Sequence, residues 1–313
     1  GPEVLAVFFR RMEFKSLLKR VVAKAMAAKP GETVTAQAAR AGETAAEAGP
    51  VISRLEAPEF QRLTPEDLPE FLARAGEEPV AVQFLAGRSR EKGRVPAVFG
   101  VALALAAGGD SRGYAFLPLD PEDFPGPLRE WLADPKALKV AHNAKPQMTL
   151  ACQYGTVWEG LVFDTEIAAY LLRGGRGGPA LEGLYADLIG GPDLPVLADK
   201  KGKDLDLLAL PEEFTVNSGA AAAVAVTRAM ALQQLQPVCR ERLRQDGLEK
   251  LFFDVEMPLL PVLLRMERKG IRVSPERLRR YGEKLTEKIG LLQEKIYTLA
   301  GEEFNISSPK QLG

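Results

Sequence analysis

Residues 163–172 read FDTEIAAYLL and place Asp164 two residues before Glu166. On a strand, that spacing puts both carboxylates on one face. Such a pair can begin a site for a hard divalent cation, which prefers oxygen ligands. Two ions roughly 3.5–4 Å apart stabilise the attacking and leaving oxygens in nucleases. Asp204 and Asp206 in GKDLDLL repeat the spacing but stand in a Gly- and Lys-rich loop, where solvated acids are expected. The sole histidine, His142, follows a buried-looking strand and reads as a packing or capping residue, so histidine-rich chemistry is excluded. Cys152 and Cys239 are far apart with no CxxC, which argues against a disulfide framework or a zinc site. GGRGGP (174–179) lacks the strand–helix context of a phosphate loop and reads as a turn.

The elements that carry these residues decide between the readings. Ile167, Tyr170 and Leu171 recur at helical spacing after Asp164. Asp164 then fits an N-cap and Glu166 the first turn, where an acid is favourable. On a helix, residues two apart point about 200° apart and cannot share an ion. Upstream, PVAVQFLA (79–86), PAVFGVALAL (96–105), GYAFLPL (113–119) and LKVAHN (138–143) read as strands. Thr64 is expected to cap a helix with Pro65 at its first position, and PGPLREWLAD reads as another helix. QMTLACQYG, DTEIAAYLL, ALEGLYADLIG and the Ala-rich run ending in VCRERL are helical. Three successive strands, then alternation, predict an α/β fold with a mixed sheet flanked by helices.

The ends differ from this middle. Residues 1–22 carry an amphipathic helix with a basic face, behind a Gly1-Pro2 start consistent with a cleavage scar. Residues 23–57 are rich in Ala, Gly, Glu and Thr and read as a linker. From 248, LEKLFFDVEMPLLPVLLRMERKG is read as one helix ending at Gly270. Ser274-Pro275 opens a long helix whose stripe is Leu278, Tyr281, Leu285, Ile289, Leu292, Ile296 and Leu299. Such a narrow stripe suits one partner helix. The chain stops at FNISSPKQLG in mid-pattern, which is read as truncation. Its 313 residues carry a formal charge of −1, so any nucleic-acid site must be local. No run approaches the ~18 apolar residues of a membrane span, and the start lacks a signal-peptide layout.

EMPLLPVLLRMERKGIRVSPERLRRYGEKL, followed by IYTLAGEEFNISSPKQLG, resembles the start of the polymerase region of the bacterial DNA polymerase I family, family A. VAHNAKPQ resembles that family's second exonuclease motif, and FFRRMEFKSLLKR the end of its 5′-nuclease region. The resemblance implies a ribonuclease-H-like 3′–5′ exonuclease domain over 58–247 and the base of a polymerase thumb over 248–313. It also implies where metal-binding carboxylates belong. Gln83 and Leu85 stand at the two acids of the first motif, and Gln147 at the Asp of the second. Through VTR (226–228), Gly219 and Ala223 stand at the Tyr and Asp of the third. Residues 214–235 contain no acid, so that motif is vacant under any small slip of register.

The expectation is a non-catalytic scaffold beside a DNA-directed DNA polymerase of replication and repair, with no polymerase or exonuclease activity of its own. No cofactor is expected for this chain; Mg2+ belongs to the palm of the missing C-terminal portion. The implied partners are a DNA primer–template duplex and that portion, in the same parent chain or as a second fragment. The implied location is the bacterial cytoplasm, with the nucleoid. Asn305, Ser307, Ser308 and Lys310 are the candidate phosphate contacts, with helix capping by Asn305 and Ser308 an equal reading. An exonuclease with unusual ligands and a pure DNA-binding module are the alternatives.

Overall fold

Contacts divide the chain after Ala46, and the second unit is Glu47–Gly313. The computed structural model describes residues 51–52, 57–87, 96–106, 113–177, 180–191, 193–199, 202–211, 219–308 and 311. The helix expected over 1–22 lies outside them, as does most of the linker. In chain order the elements are β1 (Val51–Ile52), β2 (Gln61–Arg62), α1 (Leu68–Ala73), β3 (Val80–Gly87), β4 (Ala97–Ala104) and β5 (Tyr114–Pro118). Next come α2 (Gly126–Ala133), β6 (Lys139–Ala141), α3 (Ala144–Gln153), β7 (Leu161–Asp164), α4 (Thr165–Leu172), α5 (Leu181–Leu188) and β8 (Val196–Leu197). The C-terminal part is helical: α6 (Gly219–Gln245), α7 (Glu249–Leu251), a π-helical turn Phe252–Glu256, α8 (Met257–Lys269) and α9 (Pro275–Ala300).

The four strand runs read from the sequence join one mixed sheet, in the order β2-β5-β4-β3-β6-β7. β3, β4 and β5 pair antiparallel; β3–β6, β6–β7 and β2–β5 pair parallel. β1, within the stretch read as linker, pairs antiparallel with β8 outside this sheet. Both sheet faces are covered, which is why β3 is buried along its whole length and apolar at every position but Gln83. Ala81 and Leu85 point into a core shared with α4, α5 and α6. Val82, Phe84 and Ala86 point into a second core with α1, α2, α3 and α8. The alanines of α6 let its backbone lie close against β3 and β4.

Two expected helices begin or run differently. Thr64 is not an N-cap: α1 starts at Leu68 with Asp67 at its cap position. Pro69 lacks the N–H that a helix begun at Pro65 would need, so it is tolerated only in a first turn. The Asp67 carboxylate instead accepts from the Thr64 amide and hydroxyl at 2.9 and 2.8 Å. The single helix expected from 248 is interrupted by the π-helical turn. Pro258 cannot bond the carbonyl four residues back, and a wider turn relieves its ring clash. α9 matches expectation, with the Ser274 hydroxyl accepting from Arg277 N and Gly301 left-handed at its end. Its stripe is exposed at Leu278, Tyr281, Leu285, Ile289, Leu292 and Leu299.

Lys139 lies on a central strand with no solvent exposure. Its Nζ donates to the carbonyls of Asp134, Ala137 and Glu159 at 3.0, 2.7 and 2.9 Å. It also sits 5.0 Å from the Trp131 ring centroid. The ammonium thereby ties the loop before β6 to the loop before β7. Gly160 closes this clamp at φ +69°, where a Cβ would fall 2.3 Å from the Ala137 oxygen. Burial lowers the Lys139 pKa to about 8, against the pull of the Asp134 and Glu159 carboxylates. The unfolded chain then holds more protons than the folded one between about 8 and the ordinary lysine value of 10.5. Measured against Lys139→Met, wild-type stability should therefore rise by about 1 kcal/mol or more as pH climbs through that window. Urea unfolding at both ends of the window checks this, and a difference independent of pH would refute it.

Candidate functional site

β6 ends at Ala141 and β7 at Asp164, and a helix follows each almost at once. Asn143 makes the first turn possible by adopting left-handed angles, φ 52° and ψ 60°. It is the one non-glycine residue with positive φ among the described residues. The two helices begin beside one another, and Asp164 serves both. Its Oδ1 accepts from Glu166 N at 2.8 Å at the start of α4. The same oxygen accepts from Asn143 N at 3.1 Å, and Oδ2 accepts from Ala144 N at 2.7 Å at the start of α3. Helix N-termini carry unpaired N–H groups and partial positive charge, both of which a carboxylate satisfies. Burial pushes the Asp164 pKa up, and these N–H donors oppose it. Glu166 is raised by burial and then by the nearby Asp164 charge. The pair is a cap and its first-turn neighbour, as the helical reading of FDTEIAAYLL requires.

His142 is buried, with Nδ1 2.9 Å from the Thr165 hydroxyl oxygen. Burial, assisted by the charge of Arg228, lowers its pKa to about 3, so it is neutral at ordinary pH. Asp206 is exposed and accepts from Leu208 N at 2.9 Å; Asp204 is exposed beside it. Both behave as loop acids.

The structure brings together the elements that carry the three expected motifs. Gln147 on α3 is fully buried and reaches β3 between Gln83 and Leu85. Its Oε1 accepts from Phe84 N at 2.9 Å, and its Nε2 donates to the His142 carbonyl at 3.0 Å. Along this edge of β3, Val80 and Ala81 pair with β6, while Ala86 bonds Leu207 and Leu210. The Gln147 amide spans the gap between them as a peptide group would. A carboxylate there could not donate to the His142 carbonyl. Gln83 is buried and donates through Nε2 to the Phe84 carbonyl at 3.0 Å. Leu85 is wholly in the α6-side core, and a register shift in the β3–β4 ladder follows it. Ala223 is partly buried on α6, its carbonyl accepting from the Thr227 hydroxyl at 2.8 Å. Gly219 is exposed at the start of that helix. Mg2+ demands several oxygen ligands in near-octahedral array. One neutral amide oxygen at Gln83, with Gln147 occupied by backbone and two apolar side chains, does not fit a pair of such ions. Among the described residues, no three His, Cys, Asp or Glu side chains gather elsewhere in a ligating cluster.

The candidate phosphate contacts lie far along the chain, after α9. Asn305 Oδ1 accepts from Ser307 N at 3.0 Å, and its carbonyl from Ser308 N at 2.9 Å. Asn305 N donates to Gln311 Oε1 at 2.8 Å. These bonds build a turn, and they leave the exposed Ser307 hydroxyl outward of it. Lys310 lies outside the described residues.

No family model matches the chain. A DNA polymerase I of Rhizobium leguminosarum is 35% identical over 190 residues, covering 59% of this chain and 18% of that protein. The DNA polymerase I of Geobacillus stearothermophilus is 31% identical over 219 residues, covering 69% of this chain and 23% of its own length. That of Lactococcus lactis is 51% identical over a shorter stretch of 71 residues. The chain belongs with bacterial DNA polymerase I. It spans only a minor part of these relatives, 18% and 23% of the first two. Among solved structures, the POL domain of Pol1 from M. smegmatis, in complex with DNA primer-template and dNTP, matches with a TM-score of 0.60 at 22% identity. The match covers 81% of this chain and 39% of that one. Brucella melitensis NrnC with bound Mg2+ matches with a TM-score of 0.51 at 19% identity, over 68% of this chain and 94% of its own. At those identities the likeness is one of fold: a ribonuclease-H-like exonuclease sheet, then the helices that lead into a polymerase region.

Gln147→Leu keeps the volume but leaves Phe84 N–H and the His142 carbonyl unpaired inside the protein. Each buried orphan costs about 1–3 kcal/mol, so equilibrium unfolding should register a loss of about 2–5 kcal/mol. A loss below about 1 kcal/mol would show that the bridge contributes little.

Proposed function

We propose that this chain is the N-terminal part of the large fragment of a bacterial DNA polymerase I used in replication and repair. Its exonuclease-like domain is a scaffold without nuclease chemistry. The observation that carries this reading is the engagement of Gln147 by two backbone groups, with Leu85 sunk in the core at the neighbouring motif position. Those side chains serve the sheet, and among the described residues no cluster of acidic, His or Cys ligands replaces the missing carboxylates. In the proposed organisation, 1–22 ends a 5′-nuclease region, 23–57 links, 58–247 is the exonuclease-like domain and 248–313 begins the polymerase.

The polymerase portion that follows is the natural cover for the exposed apolar side chains of α8 and α9, including Met266, Leu278 and Ile289. Exposed large apolar side chains grouped along a helix mark an interaction site. Mg2+ and the nucleotidyl transfer belong to that portion. The DNA duplex is the shared partner, met on this chain by Asn305, Ser307, Ser308 and Lys310 through the phosphate backbone. The bacterial cytoplasm, at the nucleoid, is the corresponding location.

Labelled single-stranded DNA incubated with this chain and Mg2+ or Mn2+ should yield no mononucleotides, and a primer–template should not be extended. Metal-dependent release that disappears on changing Asp164 and Glu166 would instead establish a nuclease with unusual ligands.

A further inference from the structure

α8 falls on the polymerase side of the proposed boundary, yet its buried side chains belong to the exonuclease-like domain. Met257 sits in the core between the sheet and α6, together with Phe252 of the preceding turn. Phe252 is wholly buried, 4.6 Å from Phe163 of β7 between ring centroids. One to two turns further on, Leu260 and Leu264 enter the core on the other side, with Met148 of α3 and Trp158. α8 therefore joins both cores. It packs against α3 and against β7, the outermost strand of the sheet. Lys145 of α3 donates to Glu267 of α8 at 2.6 Å. α3 is the helix whose Gln147 bridges β3 and the His142 carbonyl just past β6.

We propose that α8 and the exonuclease-like sheet form one cooperative folding unit, with α3, the helix of the vacated second motif, as the mounting that positions α8. The inference rests on the scaffold reading and gives it a physical route. Polypeptide continuing beyond α8 is then held in place by the same packing that holds β3. Gly270, at φ 66° with an exposed Ile271 after it, marks the end of the unit. α9 lies outside it, with its apolar stripe exposed.

Hydrogen exchange on the whole 313-residue chain, read by mass spectrometry, tests this. Amides of α8 should share the slow exchange of β3 and β4, whereas those of α9 exchange faster. Leu264→Ala should accelerate α8, β3 and β4 together, by about 30-fold or more. Lys145→Glu should accelerate the same three by about two- to fivefold, and adding Glu267→Lys should restore them. Met266→Ser, on the exposed side of α8, should leave all three unchanged. Fast exchange in α8 beside slow exchange in β3 would overturn the proposal, as would variants that loosen α8 alone. Should Leu264→Ala not fold, the Lys145 and Glu267 pair decides by the same criterion. None of these readouts involves nuclease activity, so failure here is separate from failure of the scaffold reading.

Discussion

Two helix N-termini meet inside this protein, and both need an acceptor. Water cannot reach the amides of Asn143, Ala144 and Glu166 freely where β6 and β7 run into α3 and α4. One carboxylate, Asp164, answers all three with two oxygens. The turn at Asn143, the start of α3 and therefore the placement of Gln147 all follow from it. Removing that acceptor would leave a cluster of buried donors unpaired, which is among the costlier defects a core can contain.

The same logic runs through the neighbouring polar residues. Gln147 supplies a peptide-like bridge where β3 outruns β6. Lys139 supplies three N–H donors to three carbonyls that two loops leave pointing inward. His142 is kept neutral and bonded to Thr165. Gln147 and Lys139 are buried polar groups that serve backbone which regular pairing does not reach, and His142 serves a neighbouring side chain. A two-metal site would require the opposite arrangement, with unsatisfied oxygens converging on open space. This pattern supports the proposal that the domain is a scaffold.

That shape includes more than the sheet and its close helices. α8 enters both cores, and its opposite side remains apolar and exposed. The α9 stripe is exposed as well. The proposed boundary between an exonuclease-like part and a polymerase part follows sequence motifs, whereas the packing runs across it. A division made by sequence resemblance follows ancestry and motif order; cores follow which apolar side chains find one another.

The sequence alone determined the four strand runs, the mixed sheet, α9 with both its caps, and the helix that follows Asp164. These depend on local periodicity, capping chemistry and short-range sterics, all of which are written in neighbouring residues. It also showed that the residues at the positions expected of the motifs, Gln83, Leu85, Gln147 and Ala223, are not acids, since a residue type needs no structure to be seen. Only the tertiary structure decided that Asp164 caps two helices, that Gln147 joins β3 to the His142 carbonyl, and that Lys139 can be buried on a central strand. Each of these rests on at least one bond between residues about 20 or more positions apart: Phe84 with Gln147, Ala144 with Asp164, and Lys139 with Glu159. Nothing in a local window reports such partners. The interrupted helix at Phe252 and the late start of α1 fall between the two cases. Their prolines are visible in the sequence, but whether the chain widens a turn or begins a helix later depends on where buried side chains such as Phe252 and Leu68 must pack.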